Sequence, residues 1–313
     1  MATREPRADL LRAQIESIRA QTHGRWVCLI SDDASSATAK REIERAIGGD
    51  DRFLLETGAE AVGFYRNFER ALAMVPPEAS YVALSDQDDR WHADKLAALI
   101  AALGPGDVLA HSDARVVDAS GAVIAETFWP RGRPRDDRLA DALYANPVTG
   151  ASALFRREVL DPALPFPDLA GPAFHDRWIA LVCIVLGGVA YVDRPLYDYV
   201  QHPEAAHGHA RAVGVPGREP AGASARTDGE AYLARSVTEA TALRERLADR
   251  LSAGDRRALE RIESLPSSAT AQLRVGARWL TRAPRSRPGI EGALVRGILR
   301  RRASQRRWKT TRS

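Results

Sequence analysis

A chain of 313 residues with 45% hydrophobic and 27% charged residues is long enough to bury at least one sizeable core, which excludes an intrinsically disordered protein. Its two cysteines, Cys28 and Cys183, each sit inside an apolar run, which excludes a disulfide framework or Cys-rich zinc module and reads as two buried small hydrophobes of a reduced compartment. The net charge of +4 conceals an asymmetry: residues 274–313 hold 13 Lys and Arg against one acid, Glu291, leaving a tail of +12 and a body of −8. Such a tail points to a polyanionic partner, either an anionic membrane surface or nucleic acid. The opening residues scatter their charges without an apolar stretch, so no secretory signal is expected and the chain is placed in the cytoplasm. The longest apolar run, Ile179 to Val192, has 14 residues broken by Gly187 and Gly188. About 20 are needed to cross a bilayer, so a transmembrane reading fails.

Leu10, Leu11, Ile15 and Ile18 recur at helical spacing within residues 7–22, and Arg25 to Ile30 then reads as a strand ending in Ser31-Asp32-Asp33. A helix at 38–47, a strand at 52–55 and a helix at 65–74 follow. The strand at 81–84 then runs straight into Ser85-Asp86-Gln87-Asp88-Asp89, so acids fall twice at a strand's carboxyl end. Next come a helix at 93–103, a strand at 108–111, and a hairpin of 114–117 with 122–125 turning at Asp118 to Gly121. Strands alternating with helices predict an open α/β sheet whose ligands lie beyond the carboxyl ends of the strands. Beyond a Pro- and Arg-rich loop at 129–138, a strand-like stretch occupies 146–155. Phe174-His175-Asp176-Arg177-Trp178 opens an apolar helix, and a strand is expected at 189–192. Residues 211–228 read as a Gly-, Pro-, Ala- and Ser-rich linker and 229–263 as charged and helical, which divides the chain into a domain at 1–210, a linker at 211–228 and a basic helical extension at 229–313.

Three carboxylates crowded at one strand end, Asp86, Asp88 and Asp89, repel one another unless a cation or an unusual hydrogen-bond network relieves them. Oxygen ligands with open positions suit Mg²⁺ or Mn²⁺ shared with a diphosphate. On the pattern alone, an acidic turn capping the helix at Ala93 explains the same residues. Asp176, on the pattern alone, reads as an N-terminal acid of the helix it opens. On base rates His202 reads as an ordinary surface or core histidine, and Trp91, His175 and Trp178 as core packing.

Taken in order, Gln21-Thr22, Ser31-Asp-Asp-Ala-Ser35, Arg66-Asn67-Phe68, Asp86-Gln-Asp-Asp-Arg-Trp91 with Lys95-Leu96, His111-Ser-Asp-Ala-Arg115, Asn146-Pro-Val-Thr-Gly150, His175-Asp-Arg-Trp178 and Tyr199-Val-Gln-His202 resemble the inverting GT-A-fold glycosyltransferases of the large family 2 type, in particular bacterial rhamnosyltransferase-like members. The likeness runs over roughly residues 2–209. It implies an α/β fold of GT-A type, an open mixed sheet flanked by helices, with the helical basic extension beyond it. It further implies a nucleotide-sugar site at Asp32, Asp33, Asp86, Arg66 and Asn67, with Asp33 meeting the donor base and Asp86 the ribose. Asp88 and His202 would hold Mn²⁺ or Mg²⁺ on the diphosphate, with Asp89 supporting Asp88. Asp176 would be the catalytic base, and Trp91, Thr149, His175 and Trp178 would border the acceptor.

The expected reaction transfers rhamnose or a similar hexose from dTDP-rhamnose or a UDP-sugar to a hydroxyl of a cell-surface glycan or lipid-linked saccharide. In one respect the chain departs from the family: its first strand looks cut off, and Arg4 stands where an aromatic is usual, so a start upstream of Met1 is expected. The competing reading is a catalytically inactive GT-A-like nucleotide-sugar-binding or scaffold protein. Residues 290–299 followed by an Arg-rich run with Trp308 read as an amphipathic segment for the inner face of the plasma membrane, or as a solubilising tail. Nucleic acid is not expected as a partner, because an acidic body would oppose a polyanion at the cleft.

Overall fold

The chain enters its fold through a two-residue strand, β1 (Ala2–Thr3), followed by helix α1 (Ala8–Arg19), which buries the predicted stripe of Leu10, Leu11, Ile15 and Ile18. The computed structural model describes residues 1–129, 133, 138–144, 146, 148–169, 173–202, 229–282 and 298. Those residues fall into two units. One comprises the described parts of 1–132, 148–166 and 187–221, the other those of 133–147, 167–186 and 222–313.

In the first unit β1 pairs in parallel with β2 (Cys28–Asp32), and β2 with β3 (Phe53–Thr57), connected by α2 (Ala37–Ile47). Ser36 caps α2 by accepting from the Ala39 amide, and Gly48, at φ 64°, ends it in the left-handed conformation that glycine adopts without a steric cost. Helix α3 (Phe64–Ala73) buries Phe68, Ala71 and Leu72 and leads to β4 (Tyr81–Ala83), β5 (Arg90–Trp91) and α4 (Lys95–Ala102). The remaining strands are β6 (Asp107–Asp118), β7 (Val123–Ala125), β8 (Ala153–Arg156) and β9 (Gly188–Gln201).

A second sheet runs β4-β8-β6-β9-β5, with β7 paired to β6. Only the β6–β9 pairing within it is parallel, so the architecture is mixed, as expected. Where the sequence reading left the first strand out, two residues hold its place.

Two corrections concern the long strands. Residues 108–111 and 114–117, expected as separate strands, form one continuous β6, and β9 extends far beyond the predicted 189–192. Register shifts at Ser112/Asp113 and Asp113/Arg115 break the two-residue alternation that a strand is read by, and Pro195 is accommodated opposite Asp113 at one of them.

The second unit is helical. Its elements are α5 (Leu139–Ala142), α7 (His175–Leu186), α8 (Gly229–Arg246), α9 (Ala253–Glu263) and α10 (Ala269–Arg282), whereas the short α6 (Leu160–Ala163) belongs to the first unit. Ser252 and Asp255 form a reciprocal capping box at the start of α9, which splits the expected single helical stretch in two. Helix α7 thus groups with the C-terminal helices, although the sequence reading placed all of 1–210 together. The linker at 211–228 and, apart from the buried Ile298, the amphipathic segment at 290–299 lie outside the described residues. Among the described residues no helix is long and apolar enough to cross a membrane.

The turn out of β5 is tied to the sheet through Asp198 on β9. Arg115 on β6 donates to both its oxygens, at 2.8 and 3.0 Å, and His92 Nε2 lies 3.0 Å from Oδ1. Burial pushes the Asp198 carboxyl up, but His92 and Arg115 more than offset this and hold it below the ordinary carboxylate value. A depressed folded-state pKa contributes stability above the unfolded value of about 3.9 and loses it as pH falls through the folded value. Asp198→Asn is therefore expected to lower the urea midpoint near neutral pH and to flatten its decline below about pH 4. An acid limb identical to that of the parent protein would contradict the assignment.

Candidate active site

Beyond the carboxyl ends of β1, β2 and β4 the chain places Thr3-Arg4, Asp32-Asp33 and Ser85 to Asp89 in succession. Two non-glycine residues adopt positive φ there, Glu5 at 40° and Ala34 at 55°. Each is the turn out of a strand, and such strain persists only where surrounding contacts hold it. Glu5 is held by bonds to Ser36 and Ser35: its carboxylate accepts from the Ser36 hydroxyl at 3.0 Å and its amide donates to Ser35 Oγ at 2.8 Å. Asp32 holds the turn at Ala34, because its carboxylate accepts from the Ser35 amide (3.0 Å), the Ser35 hydroxyl (2.6 Å) and the Thr3 hydroxyl (3.1 Å).

Asp33 is almost wholly buried and accepts from the backbone amides of Val62 and Gly63 at 2.7 and 2.9 Å, with Arg4 Nη1 at 3.3 Å. It thereby pins the loop before α3 across the ends of β1 and β2. Gly63, at φ 82°, has a backbone that only glycine adopts readily. Arg4 is the exposed member of the pair, and it exchanges bonds with Gln87: the Arg4 amide donates to Oε1 at 2.9 Å and Gln87 Nε2 donates back to the Arg4 carbonyl at 3.3 Å. The two acid-bearing turns are so joined directly.

Asn67 is buried with its amide fully engaged. Nδ2 donates to the carbonyls of Thr3 (3.1 Å) and Ser31 (2.9 Å), while Oδ1 accepts from the Ser31 hydroxyl (2.7 Å) and Arg70 (2.8 Å). Arg66, one residue earlier on α3, turns instead to Glu69 and the Phe166 carbonyl.

In the acidic turn, Asp88 Oδ2 lies 2.8 Å from His202 Nε2, at the end of β9, while Asp86 is half-buried beside it. Asp89 is buried, accepts from the Val200 amide at 3.3 Å through Oδ1, and has no hydrogen-bond partner at Oδ2. Burial and the neighbouring Asp88 and Asp86 push its pKa well above the ordinary value. Lys95 partly opposes that shift; it is itself buried, with its pKa driven down by burial and drawn back by Asp89 and Asp86. Lys95 Nζ donates to the Ala151 carbonyl at 2.6 Å and lies 3.4 Å from the centre of the Trp91 ring. It therefore fixes both Trp91, which is buried in the core, and the loop that carries Thr149, whose hydroxyl meets Tyr197 Oη at 2.9 Å.

Asp88 and His202 fit a divalent cation. Their donor atoms, Asp88 Oδ2 and His202 Nε2, lie 2.8 Å apart, and an oxygen with an imidazole nitrogen suits Mn²⁺. Among the described residues no three His, Cys, Asp or Glu side chains gather into a metal-holding group. Two protein ligands with the remaining positions left to phosphate oxygens and water is the usual arrangement for a cation that serves a nucleotide.

His175, Asp176 and Trp178 belong to the helical unit, at the start of α7. Asp176 is half-buried, its Oδ1 accepting from the Arg177 amide at 2.6 Å, whereas Trp178 is wholly buried with the Arg246 guanidinium over its ring. The residue that sequence reasoning passed over is Arg177. Buried with its charge, it donates to Glu239 of α8 (2.9 Å) and to the carbonyls of Ala142 (3.2 Å) and Leu143 (3.0 Å). Its place inside the His-Asp-Arg-Trp motif was the available signal; nothing in the sequence pointed to Glu239.

The mixed α/β sheets with flanking helices match the GT-A glycosyltransferase fold. The model of Glycosyl transferase family 2 matches residues 2–163, and the chain belongs to that family. A Bacillus subtilis (strain 168) protein named as a teichuronic acid biosynthesis glycosyltransferase, TuaG, is 30% identical over 92 residues, which are 28% of this chain and 34% of that protein, so the match spans about a third of the relative's length. Among solved structures, S. aureus TarS 1–349 in complex with UDP-GlcNAc aligns with a TM-score of 0.58 at 12% identity, covering 99% of this chain and 90% of that one. The mannosyltransferase PcManGT from Pyrobaculum calidifontis, in complex with GDP-Man and Mn²⁺, aligns at 0.49 and 16% identity over 98% and 86%.

Asn67 satisfies four groups in a buried place, and its removal strands them without water. Asn67→Ala is expected to cost about 2–3 kcal/mol of stability, measured by urea unfolding. A loss under about 0.5 kcal/mol, the level of an ordinary surface substitution, would show that this node does not hold β1.

Proposed function

We propose that this family 2 glycosyltransferase is metal-dependent and inverting, moving rhamnose or a similar hexose from a dTDP- or UDP-linked donor to a hydroxyl of a cell-surface glycan or lipid-linked saccharide. The observation that carries the reading is the Asp88–His202 pair, an oxygen and a nitrogen donor 2.8 Å apart at the end of the acidic turn. A divalent cation bound there would supply Lewis-acid neutralisation of the charge developing on the departing diphosphate. Asp86 and Asp33 with Arg4 bound the donor side of the reading. Asp32 and Asn67 shape the turns around it from within, and Arg66 is proposed to reach the donor from α3.

In the proposed displacement the carboxylate of Asp176 takes the proton of the acceptor hydroxyl, whose oxygen forms the new bond to the anomeric carbon. The bond from that carbon to the diphosphate oxygen breaks, and the nucleoside diphosphate leaves with the electron pair. Attack from the opposite face inverts the anomeric centre. Thr149, on the loop tied down by Lys95, is proposed to border the acceptor, together with His175 at the head of α7. The polyanionic partner of the basic tail is proposed to be the anionic inner face of the membrane, where each Lys or Arg contributes about 1 kcal/mol.

Two variants test this reading. By calorimetry with dTDP, UDP and their sugars, with and without Mn²⁺, the parent protein should bind one nucleotide in a metal-dependent way and Asp88→Ala should lose that dependence. Asp176→Asn should keep nucleotide affinity within about twofold while turnover falls by about 10²-fold or more. Binding of no nucleotide at all would favour the inactive scaffold, and full turnover by Asp176→Asn would remove Asp176 as the base.

A further inference from the structure

Within the helical unit, one face of α8 meets the opening of α7. The Arg235 guanidinium lies 5.4 Å from the centre of the Phe174 ring, Glu239 accepts from Arg177 Nε at 2.9 Å, and the Arg246 guanidinium lies 5.4 Å from the centre of the Trp178 ring. Arg235, Glu239 and Arg246 are spaced by four and then seven residues, a single stripe of an α-helix. Their partners at 174, 177 and 178 are spaced by three and four, which is again one stripe. Asp176 falls off it, about 100° round the helix from Arg177 on the side away from Phe174 and Trp178.

The centre of this contact is buried charge. Arg177, Arg235 and Glu239 are all buried, and Glu239 serves both guanidinium groups, with Arg235 Nε 3.8 Å from its Oε1. Burial by itself lowers the Arg177 pKa, but Glu239 first, then Tyr232 and Asp176, outweigh it and hold the group above its ordinary value. The same guanidinium donates to the carbonyls of Ala142 and Leu143, so α8 and the end of α5 both fix it. One residue back, the Asp176 carboxylate accepts from the Arg177 amide at 2.6 Å. The carboxylate and the guanidinium are therefore tied to one peptide unit.

Apolar residues of the same volume often hold two helices together as well as a buried ion pair does. What the pair adds is one defined arrangement, because a shifted register would leave its charges unpaired.

We propose that Glu239 is a positioning residue for Asp176: by fixing Arg177 it sets the first turn of α7, and with it the carboxylate that takes the proton of the acceptor hydroxyl. A helix beyond residues 2–163, the part that matches the family, thereby takes part in the reaction. The inference rests on the reading of Asp176 as the base.

The test is a double-mutant cycle on the full chain: parent, Glu239→Gln, Asp176→Asn and both together. Each is assayed with Mn²⁺ on dTDP- and UDP-linked hexoses by release of the nucleoside diphosphate to water, and dTDP and UDP affinities are read by calorimetry. Glu239→Gln keeps the shape of the side chain and should lower kcat by about tenfold while donor KM and nucleotide affinity stay within about twofold. In the Asp176→Asn background the same change should lower the residual turnover by less than about twofold, because no carboxylate is left to misplace. Equal losses in both backgrounds would overturn the positioning role and leave Glu239 a general structural part. An unchanged kcat in Glu239→Gln, with Asp176→Asn idle, would overturn it too while the base reading stands. Full turnover by Asp176→Asn, or a parent protein idle on every donor, would overturn the base and its positioning together. If Glu239→Gln does not fold, the pair Arg177→Met with Glu239→Leu removes both charges with stability commonly kept, and it is read by the same outcomes.

Discussion

Setting Asp89 beside Asp86 and Asp88 at the end of β4 is electrostatically costly, and much of the surrounding structure relieves that cost. A buried carboxylate flanked by two more favours its proton, and the shift of Asp89 to a higher pKa expresses that preference. Lys95, buried and with its pKa lowered by that burial, is drawn back towards its charged form by Asp89 and Asp86, and His202 engages Asp88. Each compensating group does a second job. Lys95 also fixes Trp91 and the Ala151 carbonyl, so the loop with Thr149 depends on the same cation that balances the acids. An acidic turn that existed only to cap α4 would need none of this, and Asp94, the residue at that cap, makes no side-chain capping bond.

The neighbouring turns are built with the same economy of partners. Asp32 and Asp33 look alike in sequence, yet one secures its own turn through Ser35 and the other secures the loop at Val62 and Gly63, some 30 residues on. Asn67 and Arg70 hold the carbonyl ends of β1 and β2 from α3, which lets a strand of only two residues keep its place. In the helical unit Arg177 plays the corresponding part for the start of α7. Its charge is balanced by Glu239, and its remaining donors satisfy the carbonyls of Ala142 and Leu143. Removing either member of that buried pair would leave the other uncompensated, a far greater penalty than the loss of an exposed ion pair.

How far the sequence could be read varied with the range of the interactions involved. Helices α2 and α3 lie within one residue of their predicted places and α1 within three, because spacing and caps such as Ser36 and Gly48 are local properties. β6 and β9 were read as fragments, because bulges at Ser112 and Asp113 and the Asp193-Arg194-Pro195 stretch interrupt the alternation that marks a strand. Their length comes from pairing with each other over ten registered residues, which neither segment displays alone. Grouping α7 with the C-terminal helices was equally hidden, since it depends on Arg177 meeting Glu239 at 62 residues' separation.

By itself the sequence determined the order of strands and acids, the motifs from Gln21 to His202, and through them the membership of Glycosyl transferase family 2, all of which are carried by residue type and short spacing. Tertiary structure alone decided which acids stand together and what each one holds. Asp88 meets His202 across 114 residues and Arg4 meets Gln87 across 83. It also decided that Asn67 is an internal clamp with every polar atom engaged. The physical reason is the same in each case: burial and hydrogen-bond satisfaction are properties of a place in the fold, and a residue acquires them only from neighbours that the chain brings in from far away.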